Sequence, residues 1–178
     1  LYMRPTANFE YGLAASFIEA ELDKDFTDSS GNVLGGVRDG NDLPTAPELQ
    51  FSATATYYFP IDDGAWDGYL TGAYQYVGER YTLMSDQESN GTQSTTASGI
   101  GGPYTQSTYS FDPELDAYEN LNFRLGMRNA EWDVALYVNN ATDERARLSL
   151  DREAGGLARQ GDRINQPRTY GITTRYDF

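Results

Sequence analysis

Five arginines crowd one stretch near the C-terminus: Arg145, Arg147, Arg152, Arg159 and Arg163, all within TDERARLSLDREAGGLARQGDRINQPR. Guanidinium forks bind carboxylates bidentately, so such a cluster could grip an anionic ligand. Asp143, Glu144, Asp151, Glu153 and Asp162 match the arginines one for one, and mutual pairing on a solvated loop is the competing reading. A second stretch, SDQESNGTQSTTASGIGGPYTQSTYSFDPELD, sets Tyr104, Tyr109 and Phe111 among small polar residues. Those rings could stack on a sugar or an aromatic chelator, or pin the loop to its neighbours. A third, DSSGNVLGGVRDGND, invites a calcium reading but lacks the D-x-[DN]-x-[DN]-G order and a closing bidentate Glu, and reads as a solvated acidic loop.

Covalent chemistry finds few candidates. The 178 residues include no histidine and no cysteine, which removes the usual general bases, thiolate nucleophiles, disulfides and most zinc sites. No pair among the 27 acidic residues is singled out for glycoside hydrolysis. Neither catalytic residue nor cofactor is therefore expected, and the chain is read as a non-enzyme. A net charge of −14 argues against a nucleic-acid partner.

The elements that would carry these loops show a period of two. The C-terminal INQPRTYGITTRYDF sets Tyr170, Ile172, Thr174, Tyr176 and Phe178 on one face, with Thr169, Gly171, Thr173, Arg175 and Asp177 on the other. FEYGLAASF, ELQFSATATYYF, NLNFRLGMR and EWDVALYVN alternate likewise, and GYLTGAYQYVG does so less cleanly through Leu70, Tyr74 and Tyr76. Six long strands are expected, near residues 8–22, 47–59, 67–82, 117–128, 131–147 and 166–178, with LYMRP as the tail of a seventh. No window shows a helical period.

The connections alternate short and long. PTAN, PIDDGAWD and NAE are tight turns, whereas residues 23–46, 83–116 and 149–165 are long. A compact soluble sandwich would explain the alternation of side chains but not that of the loops. Transmembrane barrels have short periplasmic turns and long extracellular loops. About ten residues at ~3.3 Å each, tilted near 45°, also span roughly the ~25 Å apolar band of such a barrel. The fold class expected is all-β, a transmembrane antiparallel barrel. Phe51, Phe123, Leu125, Val134, Leu136 and Ile172 would meet lipid, and Glu48, Asn122, Arg124 and Arg175 the lumen. Phe9, Tyr57, Phe59, Tyr69 and Trp132 would form a periplasmic aromatic girdle together with Tyr176 and Phe178.

LNFRLGMRNAEWDVALYVNNATDERA, followed by QPRTYGITTRYDF, resembles the closing strands of TonB-dependent outer-membrane receptors. The residues that carry the likeness are Trp132, Val134, Leu136, Val138, Asn140, Thr142, Asp143, Glu144 and Arg145, then Pro167, Arg168, Thr169, Tyr170, Gly171 and Phe178. LPTAPELQFSATATYYF, YQYVGERY and RPTANFEYGL are similar to earlier strands of the same family, so the resemblance covers essentially the whole chain.

The resemblance implies that residues 1–178 form the six or seven C-terminal strands of a larger, roughly 22-stranded barrel, with its plug, TonB-contacting segment and signal peptide outside this sequence. Tyr170, Ile172, Thr174, Tyr176 and Phe178 would be the signal read by the barrel-assembly machinery. The implied function is TonB-coupled uptake of a scarce ligand (an iron–siderophore-like chelate, cobalamin or a saccharide) across the outer membrane of a Gram-negative bacterium. The long loops would be extracellular and in contact with lipopolysaccharide, and the C-terminus periplasmic. Arg145, Arg147, Arg152, Tyr104, Tyr109 and Phe111 are the loop candidates for touching ligand. A passive porin-like channel and an acidic-loop adhesin are the alternatives.

Overall fold

The computed structural model describes residues 1–88, 92–94, 108–153 and 159–178. The strands, in chain order, are β1 (Tyr2–Thr6), β2 (Phe9–Phe17), β3 (Leu49–Ile61), β4 (Trp66–Val77), β5 (Arg80–Tyr81), β6 (Thr92–Ser94), β7 (Thr108–Ser110), β8 (Glu114–Leu115), β9 (Tyr118–Arg128), β10 (Trp132–Asn139), β11 (Arg147–Glu153), β12 (Arg159–Ile164) and β13 (Thr169–Tyr176). Two single-turn 3₁₀ segments, Asp62–Gly64 and Met84–Asp86, complete the elements. Among the described residues no helix is long and apolar enough to cross a membrane, which says nothing of crossing by strands.

Seven strands form one antiparallel sheet in the order β1-β2-β3-β4-β9-β10-β13. Apart from the small strands inside the long connections, each is hydrogen-bonded to its neighbour in sequence. This is a meander, the topology that alternating apolar and polar residues with tight turns favour. The remaining strands make three two-stranded ribbons, β5-β8, β6-β7 and β11-β12, all within the long connections. The tight turns and the C-terminus lie at one end of the sheet, and the connections 18–48, 78–117 and 140–168 at the other.

Register carries the alternation across the whole sheet. Phe9, Tyr57, Leu70, Leu125, Leu136 and Ile172 stand in one cross-strand row, and Glu10, Thr56, Thr71, Arg124, Tyr137 and Gly171 in the next. Because side chains on a strand alternate faces, the first row belongs to an apolar face and the second to a polar one. The apolar face is uncovered: Leu125 is 49% exposed, Leu136 54%, Ile172 68% and Phe123 41%. Phe51 and Val134 are half-buried by their neighbours on the same face. No second sheet packs on it among the described residues, so a sandwich core is absent there. The polar face is the crowded one, with Tyr69 and Ala135 buried on it. Asn122, Arg124 and Arg175 stand on it too.

Several strands end sooner than the sequence pattern predicts. The stretches 8–22, 67–82 and 131–147 leave the sheet after Phe17, Val77 and Asn139. Past Phe17 the chain pairs with itself inside the loop, through Leu22 N–H to Asn41 O and Leu43 N–H to Ala20 O, so the alternation continues without the main sheet. Past Asn139, Asn140 adopts φ 49°, a left-handed conformation that ends extended pairing and that asparagine tolerates. The 47–59 stretch instead runs on to Ile61, and Trp66, read from sequence as part of a turn, opens β4 opposite it.

Candidate functional site

At the tight-turn end the polar face carries a connected network. Glu10 accepts hydrogen bonds from the hydroxyls of Tyr2 (2.7 Å) and Tyr58 (2.8 Å). The guanidinium carbons of Arg4 and Arg128 lie 5.8 and 5.5 Å from the Tyr58 ring centroid. Two strands along, the Tyr69 hydroxyl donates to Asp133 (2.8 Å) and accepts from Arg124 Nε (3.1 Å), while Arg124 also donates to Thr173 Oγ1 (2.8 Å). Thr56 and Thr71 bond across β3 and β4 at 3.0 Å.

Glycine makes part of this possible. A Cβ on Gly126 would lie 2.4 Å from the Tyr69 ring, and one on Gly171 would lie 2.7 Å from the Tyr137 hydroxyl oxygen. Each ring therefore lies over a glycine on the neighbouring strand. Tyr69 thus belongs to the polar face and not to the aromatic girdle. It neighbours Leu70 in sequence, and strand geometry turns adjacent side chains to opposite faces.

The other girdle candidates stand on the apolar face at the tight-turn half. Tyr57 stacks on Phe59 (6.2 Å between centroids) and Trp132 packs against Tyr176 (4.7 Å), which meets Phe178 edge-on (5.2 Å). Phe9 contacts the ring of Tyr11 at 5.9 Å. On β13, Tyr170, Ile172, Thr174 and Tyr176 share that face, and among the described residues the strand bonds only to β10.

At the opposite end the three long connections are tied into one cap. Arg38 pairs with Glu88 (3.1 Å), and Asp42 and Gln87 exchange two hydrogen bonds, joining the first connection to the second. Arg80 joins the second to the third. Although only 8% exposed, it donates to the carbonyls of Arg147 and Leu148 (3.3 Å each) and sits 5.3 Å from the Tyr118 ring centroid. Phe111, Leu115 and Leu150 form a small buried cluster beneath.

The loop candidates distribute as follows. Phe111 is inside that cluster and so acts as a loop anchor. Arg147 pairs with Asp112 (3.1 Å) and donates to the Glu114 carbonyl, Arg145 pairs with Asp143 (3.3 Å), and Arg163 with Asp151 (2.8 Å). These guanidinium groups are engaged by the protein itself. Tyr104 lies outside the described residues. Tyr109 and Arg152 lie in β7 and β11, with side chains outside the description. Asp28 accepts bonds from Ser30 N–H, Asn32 N–H and the Asn32 side chain, which hold its carboxyl below the usual carboxylate range and make it the organiser of its own turn. No group of three or more potential metal-binding side chains is gathered among the described residues.

One constellation went unassigned as a device in the sequence reading, although its residues carry the family likeness. Asn140, 2% exposed, donates from Nδ2 to the carbonyls of Glu144 and Gln166 (2.9 Å each) and accepts from Glu144 N–H (3.0 Å). Asp143 accepts from Arg168 N–H (2.9 Å), which, with the charges of Arg145 and Arg168, holds its carboxyl below the ordinary value. Asn140 and Asp143 thus clamp the two stems of the third connection where they enter β10 and β13. The N-x-T-D-E-R and P-R-T-Y stretches are this clamp.

Neither a protein-family model nor a curated protein sequence matches the chain. Its structure is similar to the crystal structure of the ferric yersiniabactin uptake receptor FyuA from Yersinia pestis. The TM-score is 0.66 at 17% sequence identity, covering 99% of this chain and 22% of that one. The fold is shared with an uptake receptor. At this identity the likeness establishes the large antiparallel sheet and its topology. The chain spans about a fifth of the receptor's length.

Proposed function

We propose that this chain is part of the wall of an outer-membrane β-barrel that takes up a scarce ligand with TonB-supplied energy. The observation that carries the reading is the two-sidedness of a single sheet. One face is apolar, uncovered and ringed by aromatics toward the tight turns; the other is polar and cross-linked by hydrogen bonds. In water the exposed apolar face would be a large aggregation liability, and in lipid it is the favourable arrangement.

The two outer strands, β1 and β13, each bond to one neighbour only among the described residues. Backbone groups left unpaired in hydrocarbon cost several kcal/mol each, so these edges continue into further strands of a larger closed barrel. The long connections then face outward beside lipopolysaccharide, and Phe178 lies at the periplasmic side within reach of the barrel-assembly machinery. Likeness to a siderophore uptake receptor supports transport as the activity. The engaged loop arginines give no support to an arginine-based ligand grip.

The test is solute accumulation in a host strain that depends on the full-length protein, with and without TonB. Uptake lost in the TonB-deficient strain supports active transport. Uptake that persists unchanged would assign a passive channel instead.

A further inference from the structure

The polar face is divided along its length. The three cross-strand rows nearest the tight turns hold every charged side chain of this face's paired rows: Glu10, Asp67, Arg124, Arg128, Asp133 and Arg175. The three rows nearest the long connections hold none. They comprise Ser16, Gln50, Val77 and Tyr118; Ala14, Ser52, Gln75 and Asn120; and Tyr2, Gly12, Thr54, Ala73, Asn122, Asn139 and Thr169. Hydrogen bonding divides the same way. In the charged half Glu10, Arg124, Asp133 and Arg175 each have a side-chain partner, whereas the amide side chains of Gln50, Gln75, Asn120 and Asn139 make no hydrogen bond among the described residues. Asn120 Oδ1 is sealed from solvent without a partner, a cost that turning toward a hydroxyl would remove. Beside this belt is a groove of about 320 Å³, lined by Thr71, Asn122, Arg124, Tyr137, Asn139 and Thr173.

Resting on the transport reading, we infer that this uncommitted amide belt and its groove bind a neutral, polyhydroxylated ligand of the saccharide class. Each amide both donates and accepts, as each sugar hydroxyl does, and the ring of Tyr137 adds a flat apolar surface. Arg124 brings no unbalanced charge, being held by Tyr69, Thr173 and the nearby Asp133. Charge selects against the other classes. The three long connections above the belt carry 19 of the 27 acidic residues and nine of the 13 basic ones, so an anionic chelate meets a net negative entrance. A cation passing that entrance would find no carboxylate in the belt.

The experiment uses the purified full-length protein in detergent, probed with maltohexaose, xylohexaose, an oligogalacturonate and ferric citrate. Expected is saturable binding of a neutral oligosaccharide, weakened about tenfold by the double substitution Gln75→Ala and Asn139→Ala, as for the loss of two neutral hydrogen bonds. Heat-modifiable migration on gels should be unchanged in that variant. Preference for oligogalacturonate or ferric citrate, or neutral binding indifferent to the double substitution, overturns the inference. A double variant that loses thermal stability without any sugar binding overturns it as well, showing that another segment of the same protein satisfies the amides. A protein that transports another solute with TonB yet binds neither neutral sugar sinks this inference alone, whereas one that never reaches the outer membrane sinks the transport reading too.

Discussion

Replacing Gly126 by alanine should destabilise the sheet by about 2–3 kcal/mol. A Cβ there would lie 2.4 Å from Tyr69 Cζ, 2.5 Å from its hydroxyl and 2.8 Å from the Ala135 methyl, closer than atoms pack. Tyr69 must swing away, forfeiting its bonds to Asp133 and Arg124. Hydrogen bonds to charged groups are worth ~1.5–3 kcal/mol each. The two charged partners are more than a third exposed, at 36% and 41%, so water recovers part of the loss. Overpacking adds ~1–3 kcal/mol where the chain cannot relax. The assay is guanidinium titration of the full-length protein folded in phospholipid vesicles, run as a double-mutant cycle with Tyr69→Ala. Without the ring, alanine at 126 still meets the Ala135 methyl at 2.8 Å, so its cost should fall to about 1 kcal/mol, the low end of overpacking. An equal cost of Gly126→Ala in both backgrounds would refute the ring-over-glycine account.

Leu136→Arg, in the middle of the apolar face, should cost roughly 2–4 kcal/mol in vesicles, the depth-dependent penalty of a cation on the lipid side of a barrel. Thr54→Arg on the polar face should stay within about ±0.5 kcal/mol, and equal effects at the two sites would remove the distinction between faces. For the stem clamp, the Asp143 carboxyl has a lowered pKa, so its contribution is present above the ordinary carboxylate range and lost as pH falls through and below it. Hydrogen exchange should show protection around Arg168 fading in that acid window in the wild type. In Asp143→Asn, whose amide oxygen still accepts but does not titrate, protection should not follow this pH course.

Much of the fold is legible in the sequence because period-two alternation survives wherever a strand has two different environments. Trp132, Val134, Leu136 and Val138 state their face without help, and the two-residue repeat of the terminal strand does the same. Legibility fails where glycine or small residues interrupt the stripe. In GYLTGAYQYVG a tyrosine is assigned by its type, although its parity with Leu70 already places it opposite. Strand ends fail for another reason: alternation marks extended chain, and the first long connection stays extended while pairing with itself. The loop arginines were visible as a cluster, with their balancing acids beside them. That Arg147 reaches Asp112, across 35 residues of sequence, follows only from how the loops close over the sheet. The neutral belt was in plain view as Ser, Thr, Asn and Gln, but its separation from the charged half appears only once register aligns the strands.

The absence of cysteine from these 178 residues allows a direct test of the two-faced sheet, because each introduced thiol is unique within them once any cysteine elsewhere in the full-length protein is replaced by serine. Single cysteines at Leu125, Leu136 and Ile172, and at Thr54, Asn122 and Arg175, would be labelled with a small fluorophore in the full-length protein and reconstituted into vesicles containing brominated lipid. Strong quenching at the first three positions and little at the second three is the expected pattern. Quenching that is weak at all six, or equal on both faces, would contradict a sheet standing in the membrane with one side to lipid and the other to the lumen.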